Sequence, residues 1–257
     1  MNKSVTDRNG KYILNSVNNA LAILNLFFTT DELSAVDVAS RMGLGRSAAF
    51  RSLVTLENRG FLTKTVHGKY RLGIKLFSLG QLAYSRMELI SLIHPFLVSM
   101  AHEGGETSHL AILVDTTHVM FIDKALGTHY LKMDTAIGFR QYAHLTATGK
   151  ALLANQSEQA LNQYVKKAEF EKRTSHSIRS AKELLGALDV VREQGYAWDN
   201  EECEEGLTCF AVPVLDASRS AIAAISTSGP TTRMIKNREA HLRRLKNASS
   251  KIMEMLQ

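Results

Sequence analysis

The 257-residue sequence predicts a mixed α/β (α+β) fold in two domains, on three observations. Apolar residues recur every three or four positions over the first 60 residues, which is typical of amphipathic helices. Further along the chain, apolar runs of strand length alternate with helical segments. The excess positive charge lies at one end: residues 1–86 hold 12 Lys and Arg against 5 Asp and Glu, and the remainder holds 19 against 20. We therefore expect a basic, nucleic-acid-binding domain followed by a near-neutral domain with a separate task.

Composition excludes several classes of protein. Hydrophobic residues make up 45% of the chain and charged residues 22%, which argues against disorder. No apolar run reaches membrane-spanning length, and we expect no signal peptide at the N-terminus. Cys203 and Cys209 are too few and wrongly spaced for a disulfide framework or a CxxC zinc site. We expect a cytoplasmic protein with no metal and no cofactor.

The first predicted element is an amphipathic helix over residues 16–29, with Ser16 as a plausible N-cap. Its apolar residues recur at helical spacing: Val17, Ala20, Leu21, Leu24 and Phe28.

A short second helix over residues 33–42 follows, and Gly43 then provides a tight turn. Its predicted inward residues are Val36, Ala39 and Met42. The third helix begins at Arg46, and it has an apolar stripe formed by Ala49, Leu53 and Leu56. Gly60 is expected to end this helix. A short helix, a glycine turn and another helix have the spacing of a helix-turn-helix.

After Gly60 the pattern becomes strand-like, with FLTKTV, a His67-Gly68 turn and KYRLG. This hairpin is a basic wing that carries Lys64, His67, Lys69 and Arg71. Such a domain inserts its third helix into the DNA major groove, with its first residues nearest the base edges. Residues 42–60 taken alone fit a helix with a solvated charged face equally well, and the charge distribution decides for DNA. Attraction to a membrane surface is disfavoured because the basic residues do not share one long amphipathic helix.

Residues 74–86 predict a helical linker without proline. Its apolar stripe consists of Leu76, Leu79, Leu82 and Ala83. Two covers for this stripe remain open: packing on its own domain, or packing on a partner subunit.

The remaining sequence predicts strands in SHLAILV, HVMFIDKA, CFAVPVL and AIAAISTS, and a helix start in ATGKALLAN. Ser180 and Glu183 have the spacing of a capping box that begins another helix. A long final helix is expected in TRMIKNREAHLRRLKNASSKIMEML.

Five segments resemble the IclR-type transcriptional regulators, and the resemblance covers nearly the whole chain. They are LGRSAAFRSLVTLENRGFL, GKYRLGIKLFSLG, HLTATGKALLA, WDNEECEEGLTCFAVPV and AAISTSGP. The resemblance implies a winged helix-turn-helix domain over 12–73, a helical linker over 74–87 and an effector-binding domain over 88–257. The last is a GAF-like domain with a mostly antiparallel sheet flanked by helices.

The resemblance also implies a function: a regulator that binds a palindromic operator as a homodimer or homotetramer and responds to a small carboxylate effector. A repressor is the first choice by family habit, and an activator of the same family is the alternative.

The DNA-contacting residues implied by the resemblance lie on the third helix and the wing: Arg46, Ser47, Ala48, Arg51, Lys64, His67, Lys69 and Arg71. The family pattern begins this helix with Arg-Ser-Thr, so Ala48 lacks a hydroxyl expected there. The operator sequence therefore cannot be taken from the family. For Arg51, pairing with a nearby carboxylate is an open alternative.

The implied effector site consists of the backbone at Ala147 and Thr148 and the side chains of Asp199, Cys209, Ser226 and Ser228. Amide groups at a helix start favour a carboxylate, and serines two apart on a strand share one face. Structural roles stay open for each side chain: local backbone bonding for the serines, core packing for Cys209 and turn capping for Asp199. Tyr142 stands where the family commonly has proline.

An enzymatic interpretation would use Cys209, His144 and Asp199 as a cysteine-dependent hydrolase set. The sequence contains no nucleophile elbow, zinc motif or phosphate-binding loop that would support catalysis. We therefore predict a regulator that is not an enzyme, and keep the hydrolase as a remote alternative.

Overall fold

A computed structural model of the chain describes residues 13–256. Within these, residues 13–87 form one compact unit and residues 88–256 form another. The first residue of the predicted DNA-binding domain, Tyr12, and the last of the predicted effector domain, Gln257, lie outside the described residues. Within residues 13–256, no helix has the length and apolar character that crossing a membrane requires.

From residue 13 onward, the N-terminal unit contains four helices and a two-stranded antiparallel sheet. The helices are α1 (Asn15–Leu26), α2 (Ala35–Met42), α3 (Arg46–Asn58) and α4 (Ile74–Ser85), and the strands are β1 (Leu62–Lys64) and β2 (Tyr70–Leu72).

Helix α1 differs from its prediction at both ends and in the face that it buries. It begins one residue before Ser16, Leu14 occupies the N-cap position, and no side chain of the described part of the chain caps the helix. Ile23 is fully buried, whereas the predicted stripe residues Val17 and Leu21 are more than half exposed. Ala20 and Leu24 of the predicted stripe do pack against the core. The prediction was wrong for Val17 and Leu21 because apolar residues occur on more than one face of α1, and periodicity does not tell which face packs. The predicted end was also wrong, since α1 stops at Leu26 and Phe28 is exposed.

Helix α2 begins later than predicted because Ser34 caps it. The Ser34 hydroxyl accepts from the Asp37 amide, and the Asp37 carboxylate accepts from the Ser34 amide, which completes a capping box. Leu33 is outside the helix because its amide and carbonyl pair with those of Tyr70 on the wing. Val36 is exposed, so its predicted inward position was wrong, and Val38 is buried with Ala39 instead.

The remaining N-terminal elements confirm the pattern. Gly43 adopts a left-handed conformation, with φ of 64°, that lets the chain turn from α2 into α3. The predicted α3 stripe is buried as a whole. The helix ends at Asn58, two residues before Gly60. The wing strands pair antiparallel, with Leu62 opposite Leu72. These observations confirm a winged helix-turn-helix.

Helix α4 ends at Ser85, one residue earlier than predicted, and contains no buried residue. Of its predicted stripe, Leu79 and Leu82 are exposed and Leu76 is half-buried. Ile74 and Phe77 are also exposed, at 78% and 66%. Packing of this stripe on its own domain, one of the two alternatives, is therefore not observed among residues 13–87.

Up to residue 256, the C-terminal unit contains six α-helices, a short 3-10 helix (Ala143–Leu145) and one six-stranded sheet. The strands are β3 (Thr107–Leu113), β4 (His118–Ala125), β5 (Arg140–Tyr142), β6 (Ala197–Asn200), β7 (Leu207–Leu215) and β8 (Ala221–Pro230). The helices are α5 (Glu88–Gly104), α6 (Ala147–Leu153), α7 (Glu158–Lys167), α8 (Ala181–Gln194), α9 (Thr231–Lys236) and α10 (Arg238–Met255).

The strand order is β5-β4-β3-β8-β7-β6, and every neighbouring pair is antiparallel. Helix α6 packs against β7 and β8, while α5 and α10 pack on each other and on the sheet. This confirms the predicted sheet with flanking helices.

Two details of this unit correct the sequence analysis. Ser180 caps α8 by accepting from the Glu183 amide, but the Glu183 carboxylate accepts from the amide of Arg179, so the box is only half formed. The single final helix is interrupted at Asn237, where φ is −107° and ψ is 18°, between α9 and α10.

Candidate DNA-binding surface and effector cavity

The start of α3 presents cationic side chains on the surface of the N-terminal unit. Arg46, Ser47 and Arg51 are exposed, Ala48 is half-buried, and Ala49 beside them fixes the helix in the core. Within residues 13–256, no carboxylate forms a salt bridge with Arg46 or Arg51. The alternative that Arg51 pairs with a nearby carboxylate is therefore not observed in this part of the chain.

The wing carries the other four predicted contacts. Lys64, His67, Lys69 and Arg71 are all exposed, on β1, β2 and the turn between them. The turn needs Gly68, whose φ of 76° favours glycine. Exposed cations on a protruding hairpin suit contacts with phosphate oxygens, which fix register without reading bases.

All six predicted effector residues line one cavity in the C-terminal unit. Asp199 on β6 lies opposite Cys209 on β7, which lies opposite Ser228 on β8. Residues that are directly opposite in neighbouring strands share a face of the sheet, and Ser226 shares it because it is two residues from Ser228. Ala147 joins them from the start of α6. The cavity is small, with a volume of about 50 Å³.

Helix α6 begins at the cavity wall. The Thr146 hydroxyl caps it by accepting from the Gly149 amide at 2.9 Å. The first helical amides, those of Ala147 and Thr148, have no acceptor within the helix. Gly149 is required because a Cβ atom there would lie 2.1 Å from the Ala143 carbonyl oxygen. Close packing thus fixes the amides at the cavity.

Asp199 combines two of the roles considered for it, since it lines the cavity and also caps the turn after β6. Its Oδ1 accepts from the amide of Glu202 at 2.8 Å and of Cys203 at 3.4 Å. Burial raises the pKa of the Asp199 carboxyl to about 7, against a smaller opposing effect of Lys150. Near neutral pH this carboxyl therefore exists in both protonated and ionised forms.

A buried ion pair fastens that turn to α6. Lys150 Nζ contacts a Glu202 carboxylate oxygen and also donates to the Trp198 carbonyl. Hydroxyl groups support the same turn, since Thr174 donates to the Glu201 carbonyl and Ser177 to the Glu202 carbonyl, both at 2.7 Å. Lys150, Thr174 and Ser177 therefore all hold this turn. None of the three was predicted to have a role.

The cysteine-hydrolase set does not assemble. Cys209 packs against the apolar core as well as the cavity, and burial raises the pKa of its thiol well above the ordinary value, the opposite of an activated nucleophile. His144 is fully buried, its Nδ1 lies 2.8 Å from the Tyr164 hydroxyl, and it does not line the cavity. Among residues 13–256 no three His, Cys, Asp or Glu side chains are grouped to hold a metal ion.

The cavity has further lining residues that the sequence analysis missed. They are His109, Phe121, Met133, Thr135, Phe139, Gln141, Thr146, Cys203 and Leu207. His109 lies directly opposite Ser226 in the β3–β8 register, so its period-two position in SHLAILV was the available signal. The loop residues 133–139 carried no such pattern.

An N-terminal winged helix-turn-helix unit and a C-terminal unit with a cavity that polar and apolar side chains line define a class of protein, the effector-binding transcriptional regulators. Comparison with protein families gives the particular family. The model described as the IclR helix-turn-helix domain matches residues 16–65, and that described as the bacterial transcriptional regulator IclR C-terminal matches residues 81–254. The chain belongs to the IclR family of transcriptional regulators.

Individual relatives agree with this assignment. The HTH-type transcriptional regulator KdgR of Dickeya chrysanthemi is 34% identical over 245 residues, which cover 95% of this chain and 80% of that protein. The transcriptional repressor IclR of Escherichia coli (strain K12) is 31% identical over 208 residues, 80% of this chain and 76% of that protein. These relatives are named as regulators, and the chain is a regulator rather than an enzyme.

Among solved structures, an IclR homologue from Microbacterium hydrocarbonoxydans complexed with 4-hydroxybenzoate superposes with a TM-score of 0.79. It is 21% identical, and the match covers 94% of this chain and 98% of that one. At this identity the likeness shows the shared fold.

Proposed function

We propose that this regulator binds a palindromic operator as a homodimer or homotetramer and is controlled by a small organic acid in the cavity of its C-terminal unit. The cavity carries the proposal: six positions chosen by family resemblance, on four separate elements, line a single cavity. The proposed domains are the winged helix-turn-helix over 12–73, the linker over 74–87 and the effector domain over 88–257, in a cytoplasmic protein.

The chemistry of the cavity supports an acid as its ligand. The amides of Ala147 and Thr148 favour a carboxylate, and Ser226 and Ser228 can donate from the same face of the sheet. Asp199 in its ionised form would accept from a ligand hydroxyl, and in its protonated form it would donate to a ligand oxygen. The ligand named in the Microbacterium complex, 4-hydroxybenzoate, is a small hydroxylated acid of this kind.

The DNA-binding assignment uses α3 and the wing. In it, Arg46 and Arg51 contact guanine edges or phosphates, Ser47 contacts a phosphate and Ala48 packs beside the DNA. The wing contacts of Lys64, His67, Lys69 and Arg71 go to the backbone. The absence of salt bridges at Arg46 and Arg51 within residues 13–256 leaves both guanidinium groups available to DNA.

The exposed apolar face of α4 supports an oligomer. Four apolar side chains along this helix, Ile74, Phe77, Leu79 and Leu82, are each at least 46% exposed. A partner subunit covering them would also place two winged units on one palindromic site. The name of the relative from Escherichia coli favours a repressor.

Effector binding would alter DNA affinity by favouring one arrangement of the winged units over another. A tenfold change in operator affinity needs about 1.4 kcal/mol of differential binding.

The test is thermal unfolding of the full chain across a panel of small carboxylates, sugar acids and aromatic acids, with Asp199→Ala as the control. An acid that binds the native state should stabilise it by about 2.7 kcal/mol when the concentration of the acid is 100 times its Kd. We expect at least one acid to raise the Tm of the wild type and not of the variant. A panel that leaves the wild-type Tm unchanged, in protein that still binds DNA, would refute the acid effector.

A further inference from the structure

His109 is a polar side chain of the effector cavity that the family resemblance does not assign. It lies on β3 opposite Ser226 and is 2% exposed. Its Nδ1 is 3.2 Å from the Ser228 hydroxyl oxygen. Its other ring nitrogen, Nε2, is buried and has no hydrogen-bond partner within residues 13–256. One nitrogen of the ring is thus held by a proposed ligand residue and the other is unused.

Two other histidines show that burial alone does not explain this arrangement. His144 and His241 are also buried, and the Nε2 of each has no hydrogen-bond partner among the residues that the structure describes. Of these three, only His109 lines the cavity. A buried polar group without a hydrogen bond is unfavourable, and a ligand in the cavity is the group that could satisfy it.

The charge state of His109 restricts what that ligand group is. Burial, and secondarily the positive charge of Lys124 opposite it on β4, lower the pKa of His109 to about 4. At neutral pH the imidazole is therefore uncharged, and its Nε2 either donates or accepts one hydrogen bond according to the tautomer. A hydroxyl group pairs with both tautomers, whereas a carbonyl pairs only with the N–H form.

We propose that His109 binds a hydroxyl group of the effector through Nε2 and thereby selects hydroxylated acids over analogues that lack the hydroxyl. This inference rests on the proposed function, because it concerns the same cavity. Ser228 positions the ring through Nδ1. An analogue without the hydroxyl leaves Nε2 unsatisfied, and a site built to bond a hydroxyl rejects such analogues. We expect a preference of about tenfold or more in Kd.

The experiment measures Kd by calorimetry, and the Tm shift, for three matched pairs of acids with the full chain. The pairs are lactate and propionate, 3-hydroxybutyrate and butyrate, and 4-hydroxybenzoate and benzoate. The variants are His109→Phe, which keeps a ring without a hydrogen bond, and His109→Gln, which keeps a donor and an acceptor. His241→Phe is the matched control, because it replaces a buried histidine outside the cavity.

We expect the wild type and His241→Phe to prefer the hydroxylated member of the pair that binds. His109→Phe should reduce that preference to about one, and His109→Gln should retain part of it. An unchanged preference in His109→Phe would overturn the assignment of His109 while leaving the acid effector intact. If His109→Phe does not fold, His109→Leu, which also lacks a hydrogen-bonding group, takes its place, and an unchanged preference in that variant would likewise overturn the assignment.

A different result would identify failure of the proposed function itself. If no acid of any pair binds the wild type, the effector is not a small acid of this kind, and the His109 assignment is overturned with it. Equal binding of both members by the wild type would overturn only the hydroxyl selection.

Discussion

The two units of the chain display their candidate functional side chains in opposite ways. In the N-terminal unit, all the predicted DNA-contacting residues are exposed except Ala48, which is half-buried. In the C-terminal unit, all the predicted effector-contacting residues are buried except Cys209, which is half-buried. This difference in exposure follows from the size of the proposed ligands. DNA is large and binds to a protein surface, whereas a small acid binds in a cavity.

Function and stability are coupled differently in the two units. The exposed arginines of α3 can change without leaving a buried group unpaired, so their substitution should affect binding alone. Asp199, by contrast, belongs to a buried polar network with Lys150, Glu202 and the turn after β6. Substitutions in that network should alter stability together with ligand response.

The largest effect is expected from breaking the buried ion pair of the C-terminal unit. Lys150→Met leaves the Glu202 carboxylate buried without its cation, which should lower the free energy of unfolding by about 3–5 kcal/mol. Urea unfolding followed by fluorescence reports on this unit, because its Trp198 is the single tryptophan of the chain. The double variant Lys150→Met/Glu202→Gln should recover part of the loss. A single variant as stable as the wild type would contradict a closed buried network.

The next effect is a pH dependence that originates in Asp199. Its pKa is raised from 3.8 to about 7 on folding, so the folded state binds more protons than the unfolded state between these values. Its contribution to stability is therefore fully present below pH about 4 and is lost as pH rises to about 7, by about 4 kcal/mol in total.

Asp199→Asn keeps an oxygen acceptor for the turn amides and removes this titration. The variant should have a flatter stability profile over the same pH range, measured by urea unfolding. A profile parallel to that of the wild type would show that Asp199 is ionised throughout.

A smaller effect, on binding alone, is expected at the surface of α3. Arg51→Ala should weaken binding to a duplex selected by the wild type from a random library by about 1–3 kcal/mol if Arg51 reads a guanine edge. If Arg51 contacts a phosphate, sequence preference should be retained and the salt dependence of binding reduced. The free energy of unfolding of the Arg51→Ala variant should stay within about 0.5 kcal/mol of that of the wild type. Unchanged affinity and sequence preference would remove Arg51 from the DNA interface.

The smallest effect concerns the cap of α2 in the same unit. Ser34→Ala removes one half of a complete capping box and should cost about 1 kcal/mol. Ser16→Ala is the matched control, because Ser16 lies inside α1 and caps nothing, and it should change stability by less than about 0.5 kcal/mol. Hydrogen exchange of the N-terminal amides measures both. Equal losses in the two variants would contradict the cap assignment.

The sequence predicted the N-terminal unit well because its signals are local. Successive residues of the α3 stripe are about four positions apart, and the turns at Gly43 and Gly68 each depend on their immediate neighbours in the sequence. The inward face of α1 was not predictable in this way. Ile23 is buried because of residues brought together from other elements, and the apolar pattern of α1 fits more than one orientation.

Family resemblance predicted six positions of the candidate effector site. It did not predict the residues that surround and support them. His109, Lys150 and Glu202 lie far from one another in the sequence, and no spacing rule connects them. The register of β3 with β8 brings His109 to Ser226, and the ion pair joins α6 to the turn after β6.

By itself, the sequence determined the two-domain α/β plan, the basic character of the first domain and the positions of most helices and strands. Hydrophobic period, glycine turns and charge distribution act over short distances, so a linear pattern contains them. Only the tertiary structure decided which polar groups are buried together and which of them are left without a partner. Burial and hydrogen bonding depend on residues that meet from distant segments, and these set the ionisation of Asp199 and the unused nitrogen of His109.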